Sequence, residues 1–383
     1  MKILYVIHDN KKGGAAISFL NMIKSIKEKH EVFVLVPHKT GYIPDELNKL
    51  NISYMNAHYY WWMISCPSNF FLRWLKILLY RVLQTMNRIE AYRVGAKLAK
   101  QEFDIIHTNS SVINFGGHLS KVTGIPHVWH IREYGQEDFD LRAVYSEKNI
   151  YDFMDANCRC FIAISKDIQR KYSKLVNEDK IVQVYNGIEK SMDYKKNEFP
   201  QSGDKIKFLI AGNYCREKGQ IDVARAADWL LCNGENNFEV YMAGNGDFKA
   251  IQEIIDKKNL TSHIKLLGKV DDMISLRKKV DVEIVASKCE AFGRVTVEAM
   301  RMSNPVIGTN SGGTLELIDN GVTGLLFNYM DYKELARLMK CLIDNPSELA
   351  RMGRNAFDFS IKRFTVDEYV EKILEIYNEQ LDR

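Results

Sequence analysis

Short runs of valine, isoleucine and leucine alternate with amphipathic stretches almost from one end of the chain to the other. In the first half the runs at residues 3–7, 32–36, 104–108, 127–130, 161–165 and 181–185 read as strands. In the second half those at 207–211, 239–243, 264–267, 282–286, 305–308 and 325–327 do the same. Strands this apolar are covered on both faces, and strand–helix alternation at this spacing predicts parallel sheets with crossover helices. The class is therefore α/β, with two doubly wound domains. The break between them is the polar stretch 190–204, which carries the turn cluster Pro200-Gln-Ser-Gly203 and is followed at once by a new strand. This predicts a first domain over 1–193, a linker over 194–204 and a second domain over 205–362. From Thr365 the chain reads Thr-Val-Asp-Glu368, a capping-box pattern, and Val366, Tyr369, Val370, Ile373, Leu374 and Tyr377 recur at helical spacing. The segment 363–383 is thus expected to be an amphipathic helix that needs a surface to cover, packing back toward the first domain.

Length and composition narrow the function classes. The 383 residues are enough for two domains, each with its own core. The 53 basic and 49 acidic residues leave a charge of +4, too balanced for a nucleic-acid partner. Seven cysteines, an odd number scattered along the chain, predict a reducing, cytoplasmic setting rather than a disulfide framework. The nearest pair, Cys158 and Cys160, lacks the second pair that a structural zinc site requires. At the amino terminus the apolar run 3–7 is short and is followed by His8 and Asp9, so it reads as a first buried strand and not as a signal peptide. No stretch reaches the ~18 uninterrupted apolar residues of a membrane span.

In open parallel sheets ligands gather at the carboxyl ends of the strands. Five consecutive strands of the second half run into glycine-bearing loops: Gly212-Asn-Tyr-Cys-Arg-Glu-Lys-Gly219, Gly244-Asn-Gly246, Gly268, the loop at Glu290, and Gly308-Thr-Asn-Ser-Gly-Gly313. Glycine lets backbone approach a ligand closely, and helix amino termini with Arg216 and Lys218 suit an anion, most economically a diphosphate. The bland alternative is that these glycines make turns. The fourth loop opens the stretch Glu290-Ala-Phe-Gly-Arg-Val-Thr-Val-Glu298-Ala-Met300. Glu290 falls in the loop, as a ligand contact or a solvated carboxylate. Glu298 falls about one turn into the next helix, near Val295 and Met302 on its apolar side. A carboxylate there is costly unless hydrogen-bonded, and either paired ribose hydroxyls or a buried salt bridge would satisfy it.

The ordered set Glu290-x7-Glu298 around Phe292-Gly293, then Asn304-Pro-Val-Ile307, Gly312-Gly313, Glu316-Leu-Ile318 and Asn320-Gly-Val-Thr-Gly-Leu-Leu326 resembles the retaining nucleotide-sugar glycosyltransferases of family 4. Gly13-Gly14, Asp104-Ile-Ile-His107, His130, Ser165, Asn186-Gly-Ile188 and Glu217-Lys-Gly219 extend the resemblance over nearly the whole chain. It implies the GT-B fold, two Rossmann-like domains facing across a cleft. It further implies that Glu298 binds the ribose of a nucleotide sugar and Lys218 neutralises its diphosphate. Glu290, with the backbone of Phe292 and Gly293, would hold the donor sugar, while Gly268 and Val270 lie where the family holds the base. Gly14 would bring the first loop to the phosphates, and His130 would line the reaction centre. The family has an arginine directly after the glycine that corresponds to Gly212. Here that position is Asn213, so either Arg216 reaches the phosphate in another register or Lys218 carries the charge with only neutral help from Asn213.

The chemistry so implied is transfer with retention of configuration, the acceptor hydroxyl attacking on the face of the departing diphosphate, which takes its proton. Helix amino termini and Lys218 can stabilise that leaving group without a metal or cofactor. A double displacement would need Glu290 as nucleophile. The triplet Asp138-Phe-Asp140 has the shape of a metal motif, but it sits in a polar stretch away from the nucleotide domain. Residues 59–100 change character: between Phe70 and Lys100 seven basic residues face a single acid, Glu90, among aromatic and aliphatic side chains. This suits an anionic membrane surface, and the alternative is a helical hairpin packed on the first domain with a solvated basic face. A Rossmann dehydrogenase would want an intact G-x-G-x-x-G, which the chain lacks. A non-catalytic two-domain nucleotide- or sugar-binding protein would account for the domains but not for the free cysteines. The expectation is a cytoplasmic transferase, peripheral to the inner face of the plasma membrane, that moves a sugar from a UDP-sugar to a glycan or lipid-linked acceptor in surface-polysaccharide or glycolipid synthesis.

Overall fold

The computed structural model describes Met1–Asp382; Arg383, the last residue of the expected carboxy-terminal segment, lies outside the described residues. The chain divides into two compact units, Met1–Gly187 with the chain from Val366 onward, and Ile188–Thr365.

The first unit contains β1 (Lys2–Ile7), β2 (Glu31–Val36), β3 (Ser53–Asn56), β4 (Met63–Ser65), β5 (Ile105–Asn109), β6 (His127–Ile131), β7 (Leu141–Ala143), β8 (Cys160–Ala163) and β9 (Ile181–Gln183). Seven of these form one parallel sheet in the order β3-β2-β1-β5-β6-β8-β9, while β4 and β7 pair antiparallel as a separate ribbon. All six runs expected in this half are strands to within two residues, because continuous apolar runs are what a sheet covered on both faces requires. The strands that sequence periodicity misses are the edge strand β3, with the polar-flanked sequence Ser-Tyr-Met-Asn, and the three-residue β4 and β7. The helix Val366–Leu381 buries Tyr369, Val370, Ile373, Ile376 and Tyr377 in the same core as β1, β5 and the helix Gly14–Ile26.

The second unit contains β10 (Ile206–Ala211), β11 (Phe238–Ala243), β12 (Ile264–Gly268), β13 (Val282–Val285), β14 (Val306–Thr309) and β15 (Gly324–Phe327) in one parallel sheet ordered β12-β11-β10-β13-β14-β15. Its core joins Phe208, Val240, Ile284 and Ile307 of the sheet to Leu230, Leu335, Met339 and Leu349 of the covering helices. Residues 188–204, expected to divide between the first domain and a linker, belong to this unit. The polarity that suggests solvation is here engaged in buried hydrogen bonds: the Lys196 ammonium donates to Asn304 Oδ1 at 2.6 Å and to the Val280 carbonyl, and the Tyr194 amide donates to the Arg301 carbonyl. Residues 70–98 form one helix of 29 residues, Phe70–Leu98, and not a hairpin. Asn69 caps it by accepting from the Leu72 amide at 3.1 Å.

Candidate active site

The loops at the carboxyl edge of the second sheet are bonded to one another in the order of the strands. Gly244 donates to the Gly268 carbonyl (2.8 Å), Gly212 to Ala243 (2.9 Å), Tyr214 to Asn245 (2.6 Å) and Lys288 to Glu217 (2.7 Å). The chain of contacts continues as Ser311 Oγ donates to the Lys288 carbonyl (2.9 Å) and the Gly313 amide to the Glu290 carbonyl (2.7 Å). The glycines are needed for these loop-to-loop contacts as much as for any ligand: a Cβ on Gly244 would stand 1.8 Å from the Gly212 oxygen. A Cβ on Gly219, where φ is +72°, would stand 2.3 Å from the Ala286 oxygen. Gly268 differs, since a Cβ there meets open space. The result is a continuous rim of backbone running from β12 to β14.

On that rim Lys218 and Glu290 are brought together. The Lys218 ammonium lies 2.5 Å from Glu290 Oε1, which also accepts from Ser287 Oγ at 2.6 Å, and both side chains are partly exposed. The aliphatic stem of Lys218 lies over Gly212. Cation and anion are thus held as a pair, each within reach of solvent. Glu298 lies deeper. Its Oε2 accepts from Arg277 Nη1 at 2.8 Å and its Oε1 from Arg294 Nη2 at 2.9 Å. Arg277 makes a second, fully buried pair with Glu283 on β13, at 2.8 and 3.1 Å. Two guanidinium groups and two carboxylates give a network of no net charge, which is how buried ions are tolerated. Burial pushes the Glu298 carboxyl up, but the charges and hydrogen bonds of Arg277 and Arg294 prevail and hold it below the ordinary glutamate range. For Glu283 burial prevails over Arg277 and its carboxyl is raised. The salt bridge named as an alternative for Glu298 is therefore present. It occupies one acceptor position on each oxygen and leaves others for hydroxyl donors.

The other expected donor residues occupy the same edge in different states. Asn213 is exposed, and its carbonyl accepts from Gln220 Nε2 at 3.0 Å. Arg216 is exposed in the short turn Arg216–Lys218. Val270 packs against Leu209, Ala243 and Val280, and Phe292 is buried with its ring edge-on to Phe364. Gly293 caps the helix Arg294–Met300. In the first unit Gly14 is exposed at the start of the helix Gly14–Ile26. His130 is buried, its Nδ1 3.2 Å from His107 Nε2 and 3.4 Å from Arg132 Nη2. Tyr377 donates to Tyr5 Oη and lies 2.6 Å from His107 Nδ1, which links the two histidines to the tyrosine pair. His130 Nε2 is buried without a hydrogen-bond partner among the described residues. Burial first, then Arg132 and His107, hold His130 neutral with its pKa well below the ordinary value. Asp138 is engaged in its own turn, accepting from the Tyr134 and Gly135 amides at 2.9 and 2.8 Å.

Sequence reasoning missed Arg277 and Arg294 as the partners of Glu298. It also missed a buried pair at the end of β6: Arg132 donates to Asn109, Asn186 and Tyr369, and Glu133 Oε1 accepts from the Ser111 amide and from Ser110 and Ser111 hydroxyls. The available signal was an Arg-Glu dipeptide directly following an apolar strand.

Two family models match the chain, one described as glycosyltransferase family 4 over residues 12–191 and one as glycosyl transferases group 1 over residues 191–359. The chain belongs to the group 1, family 4 glycosyltransferases. This glycosyltransferase is 29% identical over 303 residues to an uncharacterised glycosyltransferase of Methanocaldococcus jannaschii, covering 77% of this chain and 81% of that protein. It is 25% identical over 309 residues to the UDP-Gal:alpha-D-GlcNAc-diphosphoundecaprenol alpha-1,3-galactosyltransferase of Escherichia coli, covering 73% and 76%. Among solved structures, HepE of Anabaena in complex with UDP superposes with a TM-score of 0.78 at 22% identity over 99% of this chain and 100% of that one. That likeness gives the glycosyltransferase the GT-B fold.

Proposed function

We propose that this glycosyltransferase moves a sugar from a UDP-sugar to a glycan or lipid-linked acceptor in the assembly of surface polysaccharide or glycolipid, with retention of configuration and without a metal or cofactor. The observation that carries the reading is the charge layout of the second unit's rim. A cation, Lys218, lies over Gly212 and a carboxylate, Glu290, lies beside it, with a second carboxylate, Glu298, deeper in the rim and still able to accept. Lys218 offsets the diphosphate charge that grows as the glycosidic bond breaks, Glu290 accepts from donor-sugar hydroxyls, and Glu298 from the ribose. Asn213 cannot replace the charge of an arginine, so Lys218 and the exposed Arg216 carry it. His130, held neutral and with Nε2 unpartnered among the described residues, is suited to hydrogen-bond the reacting sugar. Two further facts support the donor and acceptor classes: the name of the Escherichia coli relative includes a UDP-sugar and a diphosphoundecaprenol acceptor, and the HepE structure holds UDP. We place the enzyme in the cytoplasm, at the inner face of the membrane.

Thermal-shift titration with UDP-, GDP- and ADP-sugars, followed by an assay of nucleotide release, tests this. The expected result is stabilisation by a UDP-sugar and release of UDP, with Glu298→Ala raising the donor KM and His130→Ala lowering kcat more than donor affinity. Stabilisation without release of nucleotide from any sugar donor, with or without glycan and lipid-linked acceptors, would overturn it.

A further inference from the structure

The helix Phe70–Leu98 is turned inside out. Gln84 and Asn87 are buried: Asn87 Nδ2 donates to Asn114 Oδ1 (3.0 Å) and the Tyr60 carbonyl (2.9 Å), and Gln84 Nε2 to the Trp61 carbonyl (2.9 Å). On the opposite side Phe71, Leu75, Leu78, Val82, Met86 and Ile89 follow one another at steps of three or four residues, each between 44% and 66% exposed. A solvated helix ordinarily shows the reverse arrangement. Burying a large apolar side chain recovers about 1.5–3 kcal/mol, so a stripe of this length calls for cover.

Charge decides which cover fits. Between Phe70 and Ile89 the helix carries Arg73, Lys76, Arg81 and Arg88 and no acid. At helical spacing Arg81 and Arg88 border the stripe on one side and Lys76 on the other. Two of these are fixed at the rim, Lys76 Nζ by the Ser65 carbonyl and Arg81 Nε by the Val144 carbonyl, both at 2.7 Å. Two copies meeting stripe to stripe would oppose like charges, with only Glu90, already paired to Arg93, to offset them. No helix among the described residues is long and apolar enough to cross a membrane. An interface of acyl chains and anionic headgroups satisfies the stripe and its rim together.

We propose that Phe70–Ile89 lies flat in an anionic lipid interface, stripe immersed and basic rim at the phosphates, and that it docks the first unit beside its strand-end loops. Trp61 Nε1 donates to the His8 carbonyl (2.8 Å) and Trp62 Nε1 to the Ser111 carbonyl (2.7 Å), tying the segment that leads into the helix to the loops after β1 and β5. A lipid-linked acceptor in that interface is thereby presented to those loops; this last step rests on the glycosyl-transfer reading.

Flotation with phosphatidylcholine vesicles, with and without phosphatidylglycerol, tests the docking. The chain is expected to partition about tenfold or more strongly to the anionic vesicles, a preference that high salt removes. Leu78→Glu with Val82→Glu should abolish flotation, and Arg88→Glu should reduce only the anionic preference. Since all three side chains are exposed, unchanged melting curves keep the comparison on the surface. Transfer to a water-soluble acceptor should survive in each variant while transfer to a lipid-linked one falls. Equal partition of the unmodified chain to both vesicle types would overturn the proposal. So would a dimer in analytical ultracentrifugation that Leu78→Glu dissolves, since a second copy would then cover the stripe. Vesicle binding that persists while no sugar donor releases nucleotide would strike the transferase reading and leave the docking intact.

Discussion

Lys218 and Glu290 neutralise each other at 2.5 Å on a partly exposed rim, so their pairing adds little stability and leaves both available. Lys218→Met keeps the stem over Gly212 and removes the charge. It is expected to leave the melting temperature nearly unchanged and to raise the donor KM roughly tenfold to a hundredfold, the worth of about 1.5–3 kcal/mol for a hydrogen bond to a charged group. Steady-state kinetics over a UDP-sugar series measures this, and an unaltered KM would take the diphosphate role from Lys218. Arg277 is the opposite case. Arg277→Met would strand Glu283, which is wholly buried, and should cost about 3–5 kcal/mol in urea unfolding of the second unit. The two glutamates and Lys218 were legible in the sequence because their motif spacing is local. Arg277 was not, because it reaches Glu298 only through its position against β13.

At the scale of elements, continuous apolar runs located twelve strands, and glycine-bearing loops located the edge at which they end. What those loops do to each other was hidden: the Gly244 loop lies so close to Gly212 that no side chain fits between them. Gly244→Ala should therefore destabilise the second unit by at least about 1–3 kcal/mol, the ordinary cost of overpacking, and should weaken donor stabilisation in a thermal-shift assay by displacing the rim. A variant as stable as the parent would show that the loops can part freely. The mixed basic and apolar character of residues 70–98 was legible, but not that they form a single helix, nor its orientation. Its surplus of basic residues suggested either contact with an anionic membrane surface or a solvated basic face on a packed hairpin; in the structure Gln84 and Asn87 turn inward to buried carbonyls and an amide, and the aliphatic residues are left outside.

At the scale of the molecule, four histidines are held neutral inside the first unit. Burial lowers His118 and His127 to about 4 and His107 and His130 well below their ordinary value. Lowered histidine pKa values mean that the unfolded chain binds more protons, so stability is full above about pH 6.5 and is lost as pH falls toward about 4. Asp138, raised to about 6 chiefly by burial, acts with the opposite sign but contributes one proton. Calorimetry should thus show the first unit melting at lower temperature as pH drops from 6.5 toward 4, with a shallower slope in His118→Phe; a pH-independent transition over that range would contradict the burial of these rings. The sequence by itself determined the number and order of the main strands, the two-unit α/β plan and the family motif. All of these follow from periodicity and residue type over short spans. Only the tertiary structure decided that Glu298 pairs with Arg277, that Tyr377 meets a histidine 270 positions away, that residues 188–204 belong to the second unit, and which face of the long helix is left exposed. These depend on which strand lies beside which and on which buried groups lack partners, and no local pattern carries that information.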